Sequence, residues 1–379
     1  MRRWASVLVG IVSTLLCVVA AEGVLRQLAE RHEVQLTSGE RKTVFNPYRS
    51  DALLSYALRP GWSGIHESAD FRVGVRVNAL GMRGAEQPLE KPPGTRRLLV
   101  LGDSFAFGWG VEDAETFPAR LEARWRSASH PIDVLDAAVP GYAADQHWIY
   151  LRERGFALAP DVIVLALCQN DAEDLGSTRL ALGDDRLPQR STSLRRFIGE
   201  DGRMHYLNEA GLPLPERSFA ASQWLAERSL FYTYLRYNAL RLWLGAAEHF
   251  AAQHRASDAG PPPDGAIETL PPDEILRGLR SGPAFQLRYH RFLVEAIRRE
   301  AARRGIVIVT ALSGSDRGPL SDDCAADPNC LDLGARLARR DHPDAYLPLD
   351  GHWSARGHAL AAEALGAWLA AKDLAPAVP

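Results

Sequence analysis

The sequence of 379 residues predicts an α/β fold. A mainly parallel sheet should lie between two helical layers, a three-layer α/β/α sandwich, interrupted by a helical insertion. Two observations carry this. First, the segments Leu98–Leu101, Ile132–Leu135, Asp161–Cys168 and Ile306–Leu312 are continuous apolar runs rather than alternations. Strands of that kind are buried on both faces. Second, helical spacing follows each run, at Phe117–Trp125, Ala143–Arg154 and Ala355–Ala371, with the long amphipathic stretch Ala284–Arg304 ahead of the fourth. Strand and helix in alternation build a parallel sheet.

At the N-terminus, Arg2 and Arg3 precede an uncharged apolar run from Ala5 to Ala21. That is short for a spanning helix and long for a signal-peptide core. Leu16 ahead of Cys17 removes the small residue that a lipoprotein cleavage site needs. Cleavage after Ala20 or Ala21 is one reading. Because Gly23–Ala29 continues helically, we expect an uncleaved anchor over residues 1–29, held in a bacterial inner membrane. The paired arginines keep the amino end inside, so the rest of the chain is expected in the periplasm or outside the cell. Residues 30–50 read as a linker, and 51–379 as one domain with its insertion at about 175–283. Within it, the alternation Phe71–Val77 predicts a short strand pair. The insertion is aromatic-rich (Trp224, Phe231, Tyr232, Tyr234, Tyr237, Trp243), ends in Gly260–Asp264 and is expected to be helical.

The net charge of −3 gives no field that would gather nucleic acid. Lysine stands only at Lys42, Lys91 and Lys372, so arginine supplies nearly all the positive charge. No phosphate-binding glycine loop and no ligand-spaced His/Cys/Asp cluster is present, so neither a cofactor nor a metal is implied. Cys17 and Cys168 sit in apolar runs and read as small buried hydrophobes. Cys324 and Cys330 lie six apart in a polar loop, which suits a short disulfide in an oxidising compartment; two exposed thiols are the other reading.

Four short segments carry chemistry. Gly102-Asp103-Ser104-Phe105 stands where the first buried strand ends, the edge at which open α/β sheets place their sites. Serine there needs a histidine base. Asp350-Gly351-His352-Trp353, just ahead of the last helix, offers an imidazole beside a carboxylate. His342, with Asp341 or Asp344 beside it, competes locally, whereas His358 reads as a packing residue of the last helix. Pro140-Gly141-Tyr142 and Gln169-Asn170-Asp171 follow the second and third strands, on the same edge as Ser104. The backbone N–H groups of Ser104 and Gly141 and the Asn170 amide would form a three-donor oxyanion hole.

In that order Ser104, Gly141, Asn170 and His352 resemble the four blocks of the SGNH (GDSL-type) hydrolases. Here the blocks read GDSF, VPGY, CQND and DGHW, with Cys168 in place of the usual glycine and one residue, rather than two, between acid and base. The short last block is similar to that of a membrane-anchored bacterial branch with polysaccharide O-acetyltransferase relatives. The segment Asn78–Gly84, NALGMRG, also looks like a recurrent stretch of anchored members. The resemblance covers roughly 50–175 and 285–372. It implies a flavodoxin-like sandwich, Ser104 as nucleophile, His352 as base, Asp350 as its acid, and structural roles for Asp103 and Asp171. It further implies acyl transfer from an O-acylated envelope carbohydrate or another envelope ester to water. Transfer to a sugar hydroxyl is an alternative, and a non-catalytic carbohydrate-binding or assembly component is another.

Overall fold

The computed structural model describes residues 13, 17–24, 47–127 (69 excepted), 132–193, 196–198, 204–206, 229 and 263–376 (315–316 excepted). The chain divides into two units, Met1–Lys42 with Glu209–Asp258, and Thr43–Asn208 with Ala259–Pro379. In the first, residues 17–24 are helical. Most of the apolar segment 5–21, and all six aromatics singled out in the insertion, lie outside the described residues. Among the described residues no helix is long and apolar enough to cross a membrane.

The second unit opens with two antiparallel pairs, β1 (Tyr48–Asp51) with β2 (Ser55–Leu58) and β3 (Ser63–Glu67) with β4 (Arg72–Arg76). The sheet proper begins at β5 (Arg96–Gly102), which runs into the one-turn helix α1 (Ser104–Phe107). Next come α2 (Phe117–Ser127), β6 (Ile132–Asp136), α3 (Ala144–Tyr150), β7 (Val162–Cys168) and the one-turn α4 (Asp171–Asp174). All seven residues of β7 are buried, which requires cover on both faces and explains its unbroken Val/Ile/Leu pattern.

The insertion differs from its expectation at its start. The described residues within 178–206 form two antiparallel strand pairs rather than helix: β8 (Thr178–Leu182) with β9 (Pro188–Ser193), and β10 (Arg196–Ile198) with β11 (Met204–Tyr206). Pro188 and the β-branched Thr192 disfavour helix, and Gly183 to Leu187 make the reversal. Among the described residues of the insertion, α-helix follows at α5 (Pro272–Ser281), which leads into α6 (Pro283–Arg303). Leu175, Leu180, Ile275, Leu279 and Tyr289 form a second apolar cluster that joins the insertion to α6.

The chain closes through β12 (Val307–Ser313), α7 (Pro319–Ala326), β13 (Cys330–Asp332), the one-turn α8 (Leu333–Arg336) and α9 (Ala355–Ala371). The sheet order is β13-β12-β7-β5-β6, all parallel. The chain leaves β5 to one side for β6 and then returns to its other side for β7. Open sheets place a crevice at such a reversal, beyond the carboxyl ends of the strands. The polar segment around Cys324 is not a plain loop: its first half is α7 and its end is the edge strand β13. Three residues are too few to show a period in sequence.

Candidate active site

Gly102 ends β5 because nothing larger fits. A Cβ there would stand 2.5 Å from the Ala106 Cβ and 3.0 Å from the Ala166 Cβ. Asp103 is almost fully buried and caps α1, accepting from the Phe105 N–H at 3.0 Å. Burial pushes its carboxyl up to about 6. Ser104 is thereby the first residue of a helix turn, with its hydroxyl at the sheet's carboxyl edge. Gly108 ends the turn with φ 81°.

His352 arrives on a loop closed by Leu347, whose N–H donates to the His352 carbonyl at 2.8 Å. Gly351, at φ 88°, makes the bend that brings the Asp350 carboxylate and the His352 imidazole to the same side. Trp353 anchors the loop: it is fully buried, with its ring 5.2 Å from Phe105 and 5.7 Å from His358. Ser354 caps α9 through its side chain, which accepts from the Gly357 N–H. His352 Nε2 lies 2.8 Å from Ser104 Oγ, and His352 Nδ1 contacts Asp350 Oδ1. The Asp350 and His352 side chains are about a quarter exposed. The shortened spacing thus still allows the carboxylate to reach the imidazole.

Gly141 and Asn170 flank this centre. The ladder continues past β6, with Ala137 N–H donating to Val100 O and Val139 N–H to Gly102 O, each at 3.0 Å. That puts the Pro140–Gly141 turn beside the serine. Tyr56 Oη donates to Pro140 O at 2.9 Å and Tyr142 Oη donates to Tyr56 O, locking the turn against β2. Gly141 takes φ 81°. On the other side Gly102 pairs with Ala166, and Asn170 follows four residues on. Asp171, fully buried, accepts from the Cys168 N–H at 3.0 Å, a structural contact. The Asn170 amide donates to Asp174 Oδ2 at 2.8 Å, which fixes the plane of that amide. Cys168 is buried with its thiol pushed up by desolvation, and it packs where a Cβ on Gly314 would come within 3.3 Å of its sulfur.

The competing histidines stand apart from this centre. His358 is buried, accepts at Nδ1 from the Phe117 N–H, and is pushed down to about 3 by desolvation. His342 stands at the residue before the short turn Pro343–Ala345, with no capping bond from its side chain. Cys324 and Cys330 are joined in a disulfide that ties α7 to β13. Among the described residues no group of three His, Cys, Asp or Glu could hold a metal ion.

Four further residues were invisible to the block pattern. Asp70, in the turn between β3 and β4, accepts from the N–H groups of Leu349 and Asp350 at 2.8 and 2.6 Å. Trp109 donates its indole N–H to Asp350 Oδ2 at 3.2 Å. His66 meets the Trp109 ring edge-on at 4.2 Å and is pushed down to about 4 by burial and by Arg83. Arg83 is buried and donates to the carbonyls of Phe107, Gly108 and Val111, with Asp113 as its counter-charge. This gives the NALGMRG segment a physical meaning: Asn78 accepts from Leu80 and Met82 to close the turn that delivers Arg83 under the serine helix. Sequence gave one hint for Trp109, its place five residues after Ser104, and none for Asp70.

No family model and no curated protein matches the chain. Solved structures similar to it include a G-D-S-L-family lipolytic protein from Desulfitobacterium hafniense DCB-2, at TM-score 0.35 and 12% identity, covering 72% of this chain and 98% of that one. The acetylxylan esterase Axe2 from Geobacillus stearothermophilus gives TM-score 0.34 and 12% identity over 73% and 95%. The lipase Lip_vut3 from a goat rumen metagenome gives 0.35 and 14% over 72% and 97%. At such scores these likenesses carry no weight for activity, which rests on the site itself.

Proposed function

We propose that the chain is an SGNH-type serine esterase that forms an acyl-enzyme from O-acylated, chiefly O-acetylated, envelope carbohydrate. The contact that carries this reading is His352 Nε2 at 2.8 Å from Ser104 Oγ, with Asp350 on the other ring nitrogen. In this reading His352 takes the serine proton as Oγ attacks the ester carbonyl. The Asp350 carboxylate holds the imidazole in the required tautomer and stabilises the imidazolium. The N–H groups of Ser104 and Gly141 and the Asn170 amide receive the oxyanion. His352 then passes its proton to the leaving alcohol. In the second half it deprotonates water, which attacks the acyl-serine and releases the acid.

The disulfide supports an oxidising compartment, and the apolar segment behind Arg2 and Arg3 supports export with residues 1–29 as anchor. An envelope ester is the substrate that such a location offers.

The test is hydrolysis of p-nitrophenyl acetate by the full-length chain beside Ser104→Ala. Turnover should fall by at least about 10³-fold in the variant, since the nucleophile is lost. Equal rates in both chains, with matching circular dichroism, would remove Ser104 from the mechanism. Stoichiometric acylation of Ser104 without turnover would point to a sugar hydroxyl as the second acceptor.

A further inference from the structure

We infer that Trp109 is a positioning residue of the reaction, acting through the acid Asp350. The inference rests on the esterase reading of Ser104, His352 and Asp350. A carboxylate on an exposed loop has two oxygens and a rotatable bond, and only one oxygen can face the imidazole. Here Oδ1 faces His352 Nδ1 and Oδ2 accepts the Trp109 indole N–H at 3.2 Å. The backbone is tethered separately, through Asp70 Oδ2 to the N–H groups of Leu349 and Asp350. The His352 backbone N–H also donates to Oδ1, at 3.3 Å, so Trp109 holds the other oxygen and limits the freedom that the backbone tether leaves, rotation of the carboxylate about its own side-chain bonds.

The indole is itself well placed to do this. Its ring lies edge-on to His66 at 4.2 Å, and the His66 ring packs in turn on Phe71 at 4.6 Å. On the other side the His352 ring lies 5.9 Å from Trp109 and 4.8 Å from Phe105, so the base is flanked by two aromatic rings. Gly110, next in the chain, has φ 81° and no room for a Cβ against Leu347 and Phe71. The backbone beside the tryptophan is thereby fixed as well. With one residue fewer than usual between acid and base, a donor to the oxygen that faces away from the imidazole is the device that holds the short turn in its working orientation.

The experiment replaces Trp109 by β-(3-benzothienyl)alanine in the full-length chain. This keeps the ring's shape and stacking and removes only the N–H. A second chain carries Trp109→Phe. The rate at which a fluorophosphonate labels Ser104 is followed from pH 5 to 9, since labelling needs an activated serine whether the second acceptor is water or sugar. Loss of the donor should slow labelling about tenfold on the alkaline plateau, equivalent to about 1.4 kcal/mol of barrier. The acid limb of the profile should also move to lower pH, because a carboxylate that no longer faces the ring stabilises the imidazolium less. Melting temperature should stay at the wild-type value for the benzothienyl chain. Labelling within twofold of wild type with an unmoved acid limb would overturn the role of Trp109 while leaving the esterase reading intact. No labelling of the wild-type serine would overturn both.

Discussion

Asp70 sits outside every sequence block, yet it fastens the loop that carries Asp350 and His352, and Asp70→Ala tests how far the proposed reaction at Ser104 depends on it. One carboxylate oxygen accepts from two consecutive backbone N–H groups, at 2.8 Å from Leu349 and 2.6 Å from Asp350. Hydrogen bonds to a charged acceptor are worth about 1.5–3 kcal/mol each when shielded. The loop is exposed, so solvent screening and replacement by water reduce this to about 1 kcal/mol each. Together they bias the loop by about 2 kcal/mol, or about 30-fold in the ratio of docked to undocked forms. The kcat on p-nitrophenyl acetate should therefore fall by up to about 30-fold in Asp70→Ala, with KM little changed, since Asp70 bonds the acid's backbone and not the serine. Asp70→Asn keeps a neutral acceptor and should lose about fivefold. A kcat within twofold of wild type in Asp70→Ala would refute the reasoning, because it would mean that the loop docks without its tether.

Two other outcomes are expected. Asn170→Ala should lower kcat on the same ester by about 10²–10³-fold with a small change in KM, as for loss of an oxyanion donor; parallel steady-state kinetics check this, and an unchanged kcat would exclude the amide from the oxyanion site. His358, held down to about 3 by burial, should add to acid sensitivity. Its unfolded form gains a proton as pH falls below 6.5 while the folded form does not. The stability tied to it is thus complete above that value and about 2 kcal/mol lower by pH 5. Urea unfolding at pH 8 and pH 5 should show that extra loss in wild type but not in His358→Asn, whereas an equal loss in both chains would count against it.

The sheet was legible from sequence because its strands are buried on both faces. The run Val162–Cys168 could satisfy its burial only at the centre of a covered parallel sheet, and it lies there between β5 and β12. The same local rule put Ser104, Gly141 and Asn170 past strand ends, and Asp350, two residues ahead of His352, set a carboxylate beside an imidazole. Short or weakly periodic pieces were not legible. The edge strand Cys330–Asp332 has three residues, and the hairpin of β8 and β9 is held by its neighbours, as where the Ser191 N–H donates to Leu53 O.

What the sequence determined by itself was the set of candidate groups and the strand edge on which they stand, since both follow from local pattern. What the tertiary structure decided was their orientation. Asp70, Trp109 and Arg83 reach the acid and the serine helix across gaps of 280, 241 and 24 residues. A hydrogen bond of that kind depends on where two distant backbones meet, and no spacing along the chain records it.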